Sequence, residues 1–176
     1  MKKQLLILLF ISAASFSFSQ DIQYGVRGAL NVSNLDFEPA PNFVNQHRNG
    51  FAFAGFVDFN LSENITLTTE LQWSAEGGKD EDIRADYLQL PILLKLSVTD
   101  RLSFGAGPQI ALKTWENEDL FNTLAFSGVI GAEYMITSEL FVDARFSYGL
   151  SNILNEDITS FEAKNHVMQF GFGIKI

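Results

Sequence analysis

Cysteine is missing from all 176 residues, which removes disulfides, thiolate metal sites and any lipid-modified cysteine behind a leader. Basic residues are scarce. Twelve Lys and Arg stand against 21 Asp and Glu, for a net charge of −9, whereas binding to a phosphate backbone requires clustered positive charge, so nucleic acid is excluded as a partner. Charged residues make up only 19% of the chain, while 47% is hydrophobic and 17 residues are Phe. That balance excludes a disordered chain, which lacks the apolar side chains needed to offset the entropy of ordering. Beyond the first twenty positions no apolar run reaches the roughly 20 residues of a membrane-spanning helix, and no 3.6-residue stripe appears.

The amino terminus reads as a cleavable leader. Lys2 and Lys3 precede the apolar run Leu5 to Ile11, and Ser17-Phe18-Ser19 places small residues where a signal peptidase reads them. Cleavage after Ser19 is expected, leaving one domain over residues 20–176. Loss of Lys2 and Lys3 takes the net charge from −9 to −11.

Alternation with period 2 organises the rest. Ile22, Tyr24, Val26, Gly28, Leu30 and Val32 share one face of a first strand. Seven further apolar faces follow, beginning at Phe51, Ile65, Leu88, Leu102, Phe126, Leu140 and Met168. Short connections near Ser62-Glu63-Asn64, Thr99-Asp100-Arg101 and Thr137-Ser138-Glu139 alternate with long ones over 35–49, 77–84, 116–123 and 153–164. The expectation is an all-β, eight-stranded antiparallel up-and-down transmembrane β-barrel, with short periplasmic turns and longer extracellular loops, in the outer membrane of a Gram-negative cell.

A soluble lipocalin-like barrel alternates too, with its apolar face turned inward. The charges favour the membrane. None falls on the eight apolar faces, while the opposite faces carry Arg27, Asp58, Glu70, Glu76, Lys95, Lys113, Glu133, Asp143, Arg145 and Lys175 among small Gly, Ala and Ser residues suited to a crowded lumen. Tyr24, Phe59, Trp73 and Tyr148, near strand ends, are candidates for interfacial aromatic girdles.

Four segments carry a family resemblance: Gly25-Val26-Arg27-Gly28-Ala29-Leu30-Asn31-Val32-Ser33-Asn34, Tyr87-Leu88-Gln89-Leu90-Pro91-Ile92-Leu93-Leu94-Lys95, Gly105-Ala106-Gly107-Pro108 and Asp143-Ala144-Arg145-Phe146-Ser147-Tyr148-Gly149-Leu150-Ser151-Asn152-Ile153. In this order they resemble the PorT-like outer-membrane β-barrel family. The resemblance implies an outer-membrane barrel of a Bacteroidota-type cell; the founding member's link to type IX secretion is not carried over. A last strand ending on Ile176 rather than an aromatic leaves Phe170 and Phe172 as the nearest rings for the outer-membrane assembly machinery.

Turn positions bring Arg27, Asp58, Glu70, Lys95, Glu133, Asp143 and Arg145 into one charged layer, with Glu133 opposite Asp143. Buried charges must be paired, and eight strands enclose only enough room for their own side chains. A plugged lumen with a structural or interaction role follows. A small-solute channel, a PorT-like secretion accessory and a soluble ligand-binding barrel are the alternatives. Pro91 and Pro108, nearly opposite on strands four and five, predict a bulge.

No catalytic, cofactor or metal residues are expected. His47 and His166 sit near the outer rim, and a Ser/His/Asp set with Ser33, Asp36, Ser160 or Asp157 has no spacing that specifies it. The long loops read as acidic, with Asp36, Glu38, Asp80, Glu81, Asp82, Asp86, Glu116, Glu118, Asp119, Glu156, Asp157 and Glu162 against Arg48, Lys79, Arg84 and Lys164. Solvation explains them most simply. Divalent-cation bridging to lipopolysaccharide phosphates, or docking of an unknown protein partner, are the functional readings.

Overall fold

The computed structural model describes residues 22–40, 46–116, 121–155 and 161–176; the expected leader lies outside them. Eight strands follow one another: β1 (Ile22–Glu38), β2 (Arg48–Asn60), β3 (Ile65–Gly77), β4 (Arg84–Ser97), β5 (Leu102–Glu116), β6 (Leu124–Met135), β7 (Leu140–Gly149) and β8 (Glu162–Lys175). Each pairs antiparallel with the next, and β8 pairs back onto β1, closing the barrel.

Period 2 decides the inside and outside. Along β1, Arg27, Ala29, Asn31 and Ser33 are buried while Val26, Leu30 and Val32 are exposed, and the other strands repeat the pattern. A surface bearing Phe51, Phe53, Leu71, Leu94, Phe104, Ile130, Phe170 and Phe172, all exposed, is stable only against hydrocarbon. Along β4 and the residue that follows it this outward column runs from Leu88 to Val98; ten steps of about 3.3 Å, tilted about 40°, rise roughly 25 Å, the height of a barrel's apolar band. Tyr24, Trp73 and Tyr148 are exposed towards the strand ends, joined by Trp115.

The short turns are built locally. In the two Thr-x-x-Leu turns, the Thr99 hydroxyl accepts from the backbone N–H of Arg101 and Leu102, and Thr137 accepts likewise from Glu139 and Leu140. Such a cap makes the reversal tight and so fixes register.

Two expectations change. The sheet continues beyond the anticipated loop boundaries: β1 and β8 stay in register up to Glu38 opposite Glu162, so Asp36, Glu38, Arg48, Arg84, Asp86, Glu116, Glu162 and Lys164 stand on strands. Pairing supplies partners for backbone groups that loops would leave to water. The prolines do not make a bulge. Pro91 faces Gln109, and the β4–β5 register is the same on both sides of the proline region; each proline interrupts one ladder instead. Pairing lapses between Thr69–Ile92 and Gln72–Gln89 beside Pro91, and between Pro91–Gln109 and Leu94–Ala106 beside Pro108, because proline donates no N–H. Gly107 allows the close approach there, since a Cβ would run into the Ile92 carbonyl. The register shift of β4–β5 falls between Asp86 and Tyr87.

Candidate functional site: the lumen and the outer rim

The inward-facing charges form two sets. Even-numbered strands supply Asp58 (β2), Lys95 (β4), Glu133 (β6) and Lys175 (β8). Lys95 Nζ lies 2.8 Å from Glu133 Oε2 and 3.6 Å from Asp58 Oδ1; Lys175 Nζ lies 2.6 Å from Glu133 Oε1 and 3.0 Å from Asp58 Oδ2. Each ammonium thus bridges both carboxylates, and the Thr68 hydroxyl adds a bond to Asp58. The two ammonium groups also face the rings of Phe56 and Phe141, which meet edge to face at 5.7 Å.

Odd-numbered strands supply Arg27 (β1), Glu70 (β3), Asp143 and Arg145 (β7). Arg27 grips Asp143 through Nε and Nη2 at 2.7 and 2.9 Å, and its Nη1 donates to Gln72 and Gln169. Arg145 lies 2.8 Å from Glu70 and 2.9 Å from Asp143. Within each set two cations meet two anions. Such neutrality is the condition for burying eight ionised groups, since an unpaired one costs several kcal/mol.

All seven residues anticipated from sequence lie in these sets, and Glu133 does face Asp143 across β6–β7. The arrangement differs from expectation in two respects. The single charged layer divides into two sets with no described ion pair between them, and Lys175, outside the anticipated seven, completes the set with Glu133 and Asp58. The neutral side chains were the larger omission. Gln72 donates to Gln89, Gln89 and Ser74 donate to Glu76 Oε1, and Asn165 donates to Glu76 Oε2. These residues occupy the same inward parity positions as the charges, which was the signal available.

Towards the long-loop end the lumen becomes apolar. Leu35, Ile83, Ala85, Tyr87, Ala111, Phe121, Ala125, Ile153, Leu154 and Ala163 form a buried cluster. Reading the loops as solvated and acidic overlooked it, although Leu35, Tyr87, Ala111 and Ala163 fall on inward parity. At the opposite end a vestibule of about 670 Å³ lies among the short-turn residues, with Lys95, Glu133 and Lys175 in its wall.

The two histidines do not meet a triad. Ser33 faces inward, bonded to Asn165 and to the N–H of Gly77, whereas His166 lies on the outward parity of β8, against Tyr148 with ring centroids 4.5 Å apart. His47 bridges to Gly78 at the far edge of β2. Ser160, Asp157, Glu118, Asp119 and Glu156 lie outside the described residues. Among the described residues no group of three or more His, Cys, Asp or Glu could hold a metal ion.

The family described as outer membrane protein beta-barrel domain matches residues 17–155. The chain belongs to that family. This places it in the outer membrane of a Gram-negative envelope. Among solved structures, neisserial surface protein A is 9% identical with a TM-score of 0.56, over 87% of this chain and 96% of that one. Ail, the attachment invasion locus protein of Yersinia pestis, is 10% identical with a TM-score of 0.51, over 88% of this chain and 98% of that one. At such identities the likeness concerns the fold alone. No curated protein matches the chain.

Proposed function

We propose that this family member is a closed structural and interaction element of the outer membrane, with no passage through its lumen and no catalysis. The observation that carries the reading is the succession of side chains along the barrel axis. Two neutral ion-pair sets give way to the Gln72–Gln89–Glu76–Asn165 chain of hydrogen bonds, and that chain to the apolar cluster around Leu35 and Tyr87. An ion crossing this path would have to part buried pairs and then enter an apolar zone, each step costing several kcal/mol. Against catalysis stand the opposite facing of Ser33 and His166 across the sheet and the hydrogen bonds that already occupy the Ser33 hydroxyl.

Interaction then belongs to the rim, where acidic strand ends offer an unidentified protein partner a polar docking surface. The PorT-like likeness rests on four sequence segments and supports no specific role in secretion. The test is conductance in planar lipid bilayers. The folded chain is expected to leave the membrane silent, and discrete, reproducible single-channel steps would replace this reading with the small-solute channel.

A further inference from the structure

The outer rim is acidic, yet three of its four strand-end and loop cations converge. His47, Arg48, Lys79 and Arg84, together with Gln46 and Asn49, line one cleft of about 500 Å³ between the ends of β2, β3 and β4. Their carboxylate contacts are weak. Arg48 Nη1 is 3.4 Å from Asp86 and Arg84 Nη1 is 3.5 Å from the exposed Glu81, both beyond the 2.7–2.9 Å of a charge-assisted hydrogen bond. Lys79 Nζ donates only to the Gln46 amide, at 2.8 Å, and has no carboxylate within ion-pair distance among the described residues. The lumen ion pairs, by contrast, include one or more contacts of 3.0 Å or less for every cation.

The cations are also partly positioned. Arg84 donates through Nε and Nη2 to the Lys79 carbonyl, and Arg48 through Nη1 to the Glu76 carbonyl. These bonds hold the side chains together, while Arg48 Nε and Nη2 keep donors without a described acceptor. The adjoining connection carries Asp80, Glu81 and Asp82, but Arg48 and Arg84 make only long carboxylate contacts and Lys79 none among the described residues, so the gathered donors are left able to take an anion.

Height identifies the anion. The outward column of β2 reads Phe53, Phe51, Asn49, His47, and that of β4 reads Leu90, Leu88, Asp86, Arg84. Trp73, stacked on Phe53 at 6.5 Å, marks the same level on β3. Arg84 stands four residues beyond Leu88, about 10 Å above it for a strand tilted about 40°. The cleft therefore opens where apolar side chains stop and the outer leaflet's headgroups begin.

We propose that His47, Arg48, Lys79 and Arg84 form a binding site for a phosphate group of the outer leaflet's phosphorylated glycolipid. The contact is direct, with no divalent cation between. The proposal rests on the barrel's place in the outer membrane and not on its closed lumen, so conductance results leave it untouched.

The test folds the protein in zwitterionic detergent and titrates it with diphosphoryl lipid A, with dephosphorylated lipid A and with inorganic pyrophosphate, counting bound ligand by native mass spectrometry. Wild type is expected to retain one diphosphoryl lipid A and to bind the dephosphorylated form and pyrophosphate at least about tenfold more weakly. The Lys79→Gln/Arg84→Gln variant is expected to lose about thirtyfold in lipid A affinity, since each of the two cations near an anionic membrane surface contributes about fivefold to anion attraction. Arg101→Gln, in a short turn at the opposite end, is expected to change nothing. Equal retention of the dephosphorylated lipid, equal retention by the double variant, or pyrophosphate binding as tight as lipid A would each overturn the proposal. The lipid comparison needs no variant and so stands even if the double substitution impairs folding.

Discussion

Replacing Arg145 with Met removes the one cation that contacts Glu70 among the described residues. Glu70 is 2% exposed, so water cannot take the place of the guanidinium. At 2.8 Å the pair attracts by about 6 kcal/mol for an effective dielectric near 20. Desolvation of both ions offsets part of this, and breaking a buried pair by deleting one partner costs about 3–5 kcal/mol. Asp143 loses a contact as well but keeps the two-point grip of Arg27, so the damage centres on Glu70. With a urea slope of about 2 kcal/mol per M, the unfolding midpoint is expected to fall by about 2 M. The assay is urea unfolding in lipid vesicles, followed by tryptophan fluorescence and by the mobility of unboiled protein on gels. Because Arg145→Met leaves an unmatched carboxylate, adding Glu70→Gln restores neutrality and is expected to recover most of the loss. An unchanged midpoint in the single variant, or a double variant no better than the single, would refute the ion-pair reasoning.

A side chain at Gly171 is expected to displace the Arg27–Asp143 pair, because a Cβ there would strike Asp143 Oδ1 and lie 2.7 Å from Arg27 Nε and Nη2; Gly171→Val should lower the urea midpoint of unfolding, whereas Gly55→Ala, with nothing within 4 Å, should leave it unchanged. Leu35→Ala removes a fully buried side chain from the apolar cluster and is expected to lower unfolding stability by about 2–5 kcal/mol. Bilayer conductance is expected to stay silent in the same variant, because both ion-pair sets remain.

The barrel was legible because period 2 is unforgiving in a closed sheet. A strand slipped by one residue would present Arg27 or Asp143 to hydrocarbon and Phe170 to the lumen, so sequence parity and structural burial coincide. Charge identity was legible for the same reason. Pairing was not, since Lys175, near the end of β8, reaches Glu133 and Asp58 only after closure brings β2, β6 and β8 around one lumen, and sequence separation carries no trace of that. The apolar cluster was hidden differently. Its members are spread over several strands and connections, with acidic residues such as Asp36, Asp86 and Glu162 beside them in sequence, and the extension of the sheet beyond the expected loops helps to bring them together.

The two ion-pair sets explain more than stability. Inward positions of alternate strands tend to stack in layers within a small barrel, and here Asp58, Lys95, Glu133 and Lys175 come from even strands while Arg27, Glu70, Asp143 and Arg145 come from odd ones. No described ion pair joins the two sets. A one-residue slip is opposed by hydrophobicity alone, but a two-residue slip keeps every side chain on its proper face and is invisible to that force. The ion pairs oppose it. Moving β4 by two residues would carry Lys95 roughly 6.6 Å along the axis of its strand, away from Glu133 and Asp58, leaving its own set short of one cation with no vacancy in the other. The lumen charges therefore act with the capped short turns in specifying register against even-numbered slips, to which the apolar faces are indifferent.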